Sequence, residues 1–199
     1  ERQCGIILTF QDITEQKRAK EQLIQLATHD PLTGLSNRRA SELRLQELYD
    51  QSERYQKPLS VCMVDIDHFK KVNDNHGHDV GDQVLRMVAT CLRRVSGGGR
   101  AYRYGGEEFA VIFPNKDLER ALPHLEELRE TISRAGFVLR GRKRPKQKPE
   151  SQKCKDSGKG KLQVTVSIGV ATRDDKNTTP EQLIKAADQA LYKAKKGGR

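Results

Sequence analysis

No stretch of this chain approaches the roughly 20 consecutive apolar residues that a membrane span needs, and no charged-then-apolar leader opens it. A soluble piece without membrane contact is expected, with neither a spanning helix nor a signal peptide. Cysteine is scarce: Cys4, Cys62, Cys91 and Cys154 lie far apart, without a CxxC pair or a histidine at ligand spacing. That argues against a zinc site or a disulfide framework, and a reducing cytoplasm fits best. Several nucleotide and hydrolase signatures are also missing. There is no GxxxxGK[ST] loop, no GxGxxG after a strand, no GxSxG elbow, no HExxH helix and no kinase catalytic loop. Any phosphate chemistry must therefore be carried by metals and basic side chains.

What the chain does have is 199 residues, enough for one domain of ordinary size plus a short extra element, and a basic excess of 37 Lys and Arg over 27 Asp and Glu. The excess is local. Between Arg140 and Lys161 stand ten Lys and Arg against Glu150 and Asp156, which places +8 of the net +10 there. With two prolines, three glycines and almost no apolar side chain, this stretch cannot bury enough surface to offset its ordering entropy, and it reads as a solvated surface loop. It holds no aromatic residue on which a base could stack, so no nucleic-acid partner is expected.

Around the insert the pattern alternates. Cys4–Phe10 reads as a strand with nothing nearby to pair with, which predicts that the chain begins inside another domain. Asp12, with Glu15 three positions on, can cap a connecting helix that carries Ala19, Leu23, Ile24, Leu26 and Ala27 and ends at His29-Asp30-Pro31. A second helix is expected from Ser36, carrying Ala40, Leu43, Leu48 and Tyr49. The run Leu59–Ile66 is a buried strand, and Val80 to Val95 a helix stopped by Gly97–Gly99. Arg100–Tyr104 and Glu108–Phe113 form a hairpin through Gly105-Gly106. Leu118, Leu122, Leu125, Leu128 and Ile132 mark another helix, Leu162–Ala171 a strand, and Thr179-Pro180 with Gln182 the capped start of the last helix. The fold class is α/β of the α+β kind, a mixed central sheet flanked by helices.

Chemistry concentrates at two places. Strand period puts Asp65 and Asp67 on one face at the end of an apolar run, an address for a hard cation such as Mg²⁺. Asp67 can equally cap the following turn. The second place is Tyr104-Gly105-Gly106-Glu107-Glu108-Phe109, where two glycines leave room for a ligand to approach the backbone and two acids follow at once. His29, beside helix-start residues, reads as structural, and Asp82 is open to a helix-capping role.

At this point the residues carry a resemblance. Gly105-Gly106-Glu107-Glu108-Phe109 resembles the signature of the GGDEF diguanylate cyclases in its GGEEF form. In family order stand His29-Asp30-Pro31-Leu32-Thr33-Gly34-Leu35 with Asn37-Arg38, Asp65 to Asp74, Gly77-His78, Gly81-Asp82, Val166 to Ala171 and Ala187 to Lys195. The lead-in Phe10 to Glu15 more weakly resembles the exit of a PAS sensory domain. Three segments are thus expected: residues 1–14 the tail of a truncated PAS-like sensor, 15–28 a signalling helix, and 29–199 the catalytic domain with the basic insert at 140–161.

The resemblance implies a palm-like nucleotide-cyclase fold that condenses two GTP into cyclic di-GMP and two pyrophosphates across a homodimer. It implies two Mg²⁺ ions, with Mn²⁺ as a substitute, on Asp65, the Ile66 carbonyl, Glu107 and Glu108. Glu107, Glu108 and Lys70 would be catalytic. Phe69, Asn73, Asp82, Gly105, Gly106, Lys195 and Arg199 would bind substrate, the two lysines and the arginine on phosphates, Asn73 and Asp82 on guanine. A carboxylate at Asp82 can accept from both the ring N–H and the exocyclic amine of guanine. The Arg-x-x-Asp of the family's inhibitory product site is replaced by Ser96-Gly97-Gly98-Gly99, so Ser96 and Gly99 stand where Arg and Asp do elsewhere and no such site is expected. The alternative is a silent GTP-binding regulatory module.

Overall fold

The computed structural model describes residues 12–138 and 161–197. The expected sensor tail up to residue 11, positions 140–160 of the basic insert and Arg199 lie outside the described residues. In chain order the elements are α1 (Thr14–Thr28), β1 (Ser36–Asn37), α2 (Arg38–Tyr55), β2 (Leu59–Ile66), α3 (Phe69–His76), α4 (His78–Leu92), β3 (Arg100–Gly105), β4 (Glu108–Pro114), α5 (Leu118–Arg134), β5 (Phe137–Val138), β6 (Lys161–Leu162), β7 (Val166–Thr172) and α6 (Pro180–Lys196).

β2 is buried along all eight residues because helices cover both faces of its sheet. The sheet runs β1-β3-β4-β2-β7. β1 joins β3 in parallel, whereas the other pairings are antiparallel, so the sheet is mixed as expected. Period-two alternation then sorts the core. Cys62, Val64 and Ile66 of β2, with Phe109, Val111 and Phe113 of β4, pack against Val84, Val88 and Leu92 of α4 and Leu125, Leu128 and Ile132 of α5. Val61 and Met63, with Ala110 and Ile112, face Leu45, Leu48 and Tyr49 of α2 and Leu183, Ala187 and Leu191 of α6. On that second face α6 lies so close to β7 that a side chain at Gly169 would meet the backbone of Ala187 and Leu191. No described helix is long and apolar enough to cross a membrane.

Several local expectations are corrected. Ser36 belongs to β1, and α2 starts at Arg38, because the Asn37 side chain accepts from the Ala40 N–H at 3.1 Å and caps it. Leu43 is exposed, since α2 turns Ser41, Leu45, Leu48 and Ser52 inward, and likewise Leu118 and Leu122 are exposed while Ala121 takes the buried turn of α5. The 162–171 run is not one strand. Leu162 pairs with Phe137 in a separate ribbon, β5 with β6, and β7 begins only at Val166. Asp12 does not cap α1 directly; the cap position is Ile13, and Asp12 Oδ1 accepts from the Thr14 N–H at 2.9 Å. At α6, Thr179 caps as expected, but Gln182 accepts from the N–H of Thr178 rather than reaching back to Thr179. Helix α3 was not foreseen at all.

Candidate active site

The second face of the sheet, apolar as far as Met63, ends in acids. Asp65 follows Met63 on that face, and the antiparallel register sets it opposite Glu108. The turn that joins β3 to β4 brings Glu107 alongside, with its carbonyl oxygen accepting from the Ile66 N–H at 3.4 Å. The last turn of α6 supplies the counter-charge: Lys195 Nζ lies 2.8 Å from Asp65 Oδ1. Burial and the charge of Asp65 push the Glu107 and Glu108 carboxyls above their ordinary range, an effect that Lys195 partly offsets. Asp188 on α6 adds to the repulsion at Glu108, and Arg38 at the start of α2 opposes it.

These donors fit a hard divalent cation: carboxylate oxygens, mutually repelling, with one ammonium already drawn among them. The residues do not form a closed cage, for among the described residues no group of three or more His, Cys, Asp or Glu is poised to hold a metal alone. A hard cation held by so few carboxylates would have to complete its shell with water and substrate phosphates.

Asp67 is engaged elsewhere. Its carboxylate accepts from Thr165 Oγ1 and Ser167 Oγ, each at 2.6 Å, so it ties β2 to the start of β7 and does not cap α3. The cap position is His68, in the left-handed region at φ 57°, a conformation that costs a non-glycine residue about 1–2 kcal/mol. In the first turn of α3, Lys70 is exposed while Phe69 packs into the core. The first N–H groups of a helix have no intrahelical acceptor and favour anions.

Asn73, one turn beyond Phe69, is half-buried, and its Oδ1 has no hydrogen-bond partner. A buried acceptor left unpaired costs about 1–3 kcal/mol. Asp82 lies beyond the first turn of α4, whose cap position is Gly77, which removes the capping role. Gly105 and Gly106 are exposed in the turn, Gly106 at φ 48°.

Two features escaped the sequence. Arg103 clamps the hairpin turn: its Nε and Nη2 donate to the Gly106 carbonyl at 3.2 and 2.8 Å, and its Nη1 reaches both oxygens of Asp30 at 2.9 Å. Burial pushes Asp30 up, but hydrogen bonds from Thr33 and Arg103 outweigh it and hold its carboxyl below the usual range. His29 beside it bonds Thr28 through Nδ1 at 2.9 Å, in keeping with a structural role. The other feature is a cavity of about 680 Å³ lined by residues of α2 and α6 together with Met63, Tyr104 and Glu108.

The Ser96–Gly99 turn is tied down by local contacts. Ser96 Oγ donates to Glu127 Oε2 at 2.8 Å and meets His124 Nδ1 at 2.7 Å, while Gly97 lies against the His124 ring and Gly99 against Phe113.

Residues 27–199 match the family model described as diguanylate cyclase, GGDEF domain. Response regulator PleD of Caulobacter vibrioides is 39% identical over 180 residues, which are 88% of this chain and 36% of PleD. Diguanylate cyclase DgcM of Escherichia coli is 35% identical over 192 residues, 94% of this chain and 41% of DgcM. The chain thus spans less than half the length of these two relatives. Among solved structures, the coiled coil and GGDEF domain of DgcB from Caulobacter crescentus, in complex with c-di-GMP, superposes with a TM-score of 0.79 at 34% identity. It covers 94% of this chain and 90% of that one.

Proposed function

The chain belongs to the GGDEF family of diguanylate cyclases, and from that premise we propose that it condenses two GTP into cyclic di-GMP and two pyrophosphates. The observation that carries this reading is the convergence of Asp65, Glu107 and Glu108 at the hairpin, with Lys195 beside them. The 3′-hydroxyl oxygen of one GTP attacks the α-phosphorus of the other. A P–O bond forms, the bond from that phosphorus to the bridging oxygen breaks, and pyrophosphate leaves with the electron pair while the hydroxyl proton passes to a base. The same step in the opposite sense closes the ring.

Asp65, the Ile66 carbonyl, Glu107 and Glu108 would hold two Mg²⁺ ions, or Mn²⁺ in their place. Bound there, such ions supply the Lewis acidity that lowers the pKa of the attacking hydroxyl and offsets triphosphate charge. Lys70, the N-terminal N–H groups of α3 beside Phe69, and Lys195 neutralise the β- and γ-phosphates, with Arg199 as a further candidate. Gly105 and Gly106 leave room for the nucleotide at the turn. Asn73 and Asp82 read guanine: the unpaired Oδ1 of Asn73 supports this, since a ligand N–H supplies what the protein does not. One domain offers one such site and the reaction joins two nucleotides, so two copies face each other, set by α1 and by an upstream sensor domain. Support for α1 comes from its exposed Leu23, Ile24 and Leu26. With Ser96 and Gly99 in place of Arg and Asp, product inhibition is weak.

The second reading is a silent GTP-binding module, favoured by one observation: the Lys195 ammonium already sits on Asp65. Incubation with GTP and Mg²⁺ over a series of protein concentrations decides. Cyclic di-GMP that rises faster than linearly with protein and vanishes in Glu107→Gln is expected. GTP binding without product, even after a forced dimer is fused ahead of α1, would establish the silent module.

A further inference from the structure

Gly81 is a glycine without a conformational reason. It lies in the first turns of α4, its φ is not in the left-handed region, and at such a helical position alanine is the better residue. Its N–H makes an ordinary helical bond to the Gly77 carbonyl at 3.2 Å. The reason is across the helix pair. A Cβ built on Gly81 would overlap Asn73 Oδ1 and stand 3.0 Å from Asn73 Cγ and 3.2 Å from Phe69 Cζ. The side chain of Asn73 therefore lies in the notch that the missing Cβ leaves, and the oxygen that fills the notch is the same buried acceptor that no protein group satisfies. Phe69 and Asn73 are one turn apart on α3 and both bear on this single Cα, while Asp82 is the next residue along α4.

We infer that Gly81 is a positioning residue for nucleotide specificity: its bare Cα sets where the Asn73 amide stands, and so how tightly the site holds a guanine base. The inference rests on the reading of Asn73 as a base contact. Any side chain at 81 forces the amide out of the notch, because Phe69 closes the other direction and the α4 backbone cannot retreat without losing its own hydrogen bonds. The effect falls on the base and not on the phosphates, which other residues hold. Guanine affinity should therefore fall while affinity for a nucleotide with the wrong base stays where it was.

The test is a four-variant cycle: the parent chain, Gly81→Ala, Asn73→Ala and the double variant. Calorimetry in Mg²⁺ measures binding of the α,β-methylene analogues of GTP and ATP, and thermal unfolding is followed in parallel. Gly81→Ala is expected to weaken the GTP analogue by about tenfold or more, and the ATP analogue by less than about twofold, the mark of a lost base contact. In the Asn73→Ala background, where the notch is empty, the same change is expected to do nothing further. A Gly81→Ala chain that binds the GTP analogue as the parent does, or whose loss persists in full without Asn73, overturns the role of Gly81 alone. An Asn73→Ala chain with unchanged affinity for the GTP analogue overturns the base-contact reading and this inference with it. Should Gly81→Ala fail to fold, the double variant decides: a folded double traces the clash to Asn73, and an unfolded one overturns the inference.

Discussion

The two faces of β2 end differently. On the α4 and α5 side the strand is apolar from Cys62 to its last residue, Ile66, which is fully buried in the same cluster as Phe109. On the α2 and α6 side the pattern breaks at Asp65, and the partner strand breaks with it at Glu108. One face closes the core, while the other turns the same strand end into a cluster of like charges whose repulsion the fold must carry. Proteins hold strain of this kind where function needs it, and the apolar face next door supplies the stability that tolerates it.

Neighbouring residues of β4 give the sharpest way to break that comparison. Phe109→Ala removes a fully buried ring from the apolar face and should cost about 3–5 kcal/mol in denaturant unfolding. Glu108→Gln, one residue earlier and on the opposite face, should leave stability within about 1 kcal/mol while abolishing turnover, because only a half-exposed charge is changed. If both variants lose stability equally, the division of labour between the faces is wrong.

A smaller effect is expected at the hairpin clamp. Arg103→Ala leaves Asp30 with only its Thr33 partners and frees the Gly106 carbonyl, which should cost about 1–3 kcal/mol and lower activity through a loosened turn. Arg103→Lys restores the charge but cannot fork to Asp30 and Gly106 together. It should therefore recover more of the stability than of the activity, measured as melting temperature against kcat.

This clamp also marks the limit of what the sequence reveals. The Leu59–Ile66 strand, the glycine-paired hairpin and the acids at their ends are legible because each is a local pattern: an unbroken apolar run, a turn dipeptide, polarity at a strand end. Arg103 meets Asp30 across 73 positions, and Asn73 meets Gly81 only because the turn at Gly77 folds α3 back on α4. The first contact spans more chain than any local pattern, and the second, though only eight positions apart, depends on a turn geometry that apolar periodicity does not report. Helix α3 was missed for another reason: FKKVNDNH offers only Phe69 and Val72 as apolar positions, too few to establish a period. Leu43 and Leu122 misled in the opposite way, as apolar residues that the helix turns outward while Ser41 and Ala121 take the buried turns.

The smallest expected effect separates the two kinds of carboxylate by the sign of their pH dependence. Asp30 is held below its ordinary value of 3.8, so its contribution is present above that pH and is lost as pH falls through the lowered value. Glu107 and Glu108 are pushed above 4.5, so the unfolded chain releases its protons first. Their ionisation destabilises the fold as pH rises from about 4.5 through the raised values. Replacing both with glutamine should raise the melting temperature at pH 7 by up to about 2–4 °C, the shift expected for at most ~1 kcal/mol from partly exposed charges in a domain of this size. The gain should shrink towards zero below pH 4.5, where the parent carboxyls are protonated anyway. Asp30→Asn should behave inversely, with its penalty largest at neutral pH and fading in acid. A gain in the glutamine variant that persists at pH 4 would assign it to packing and remove charge repulsion as the cost of the acidic face.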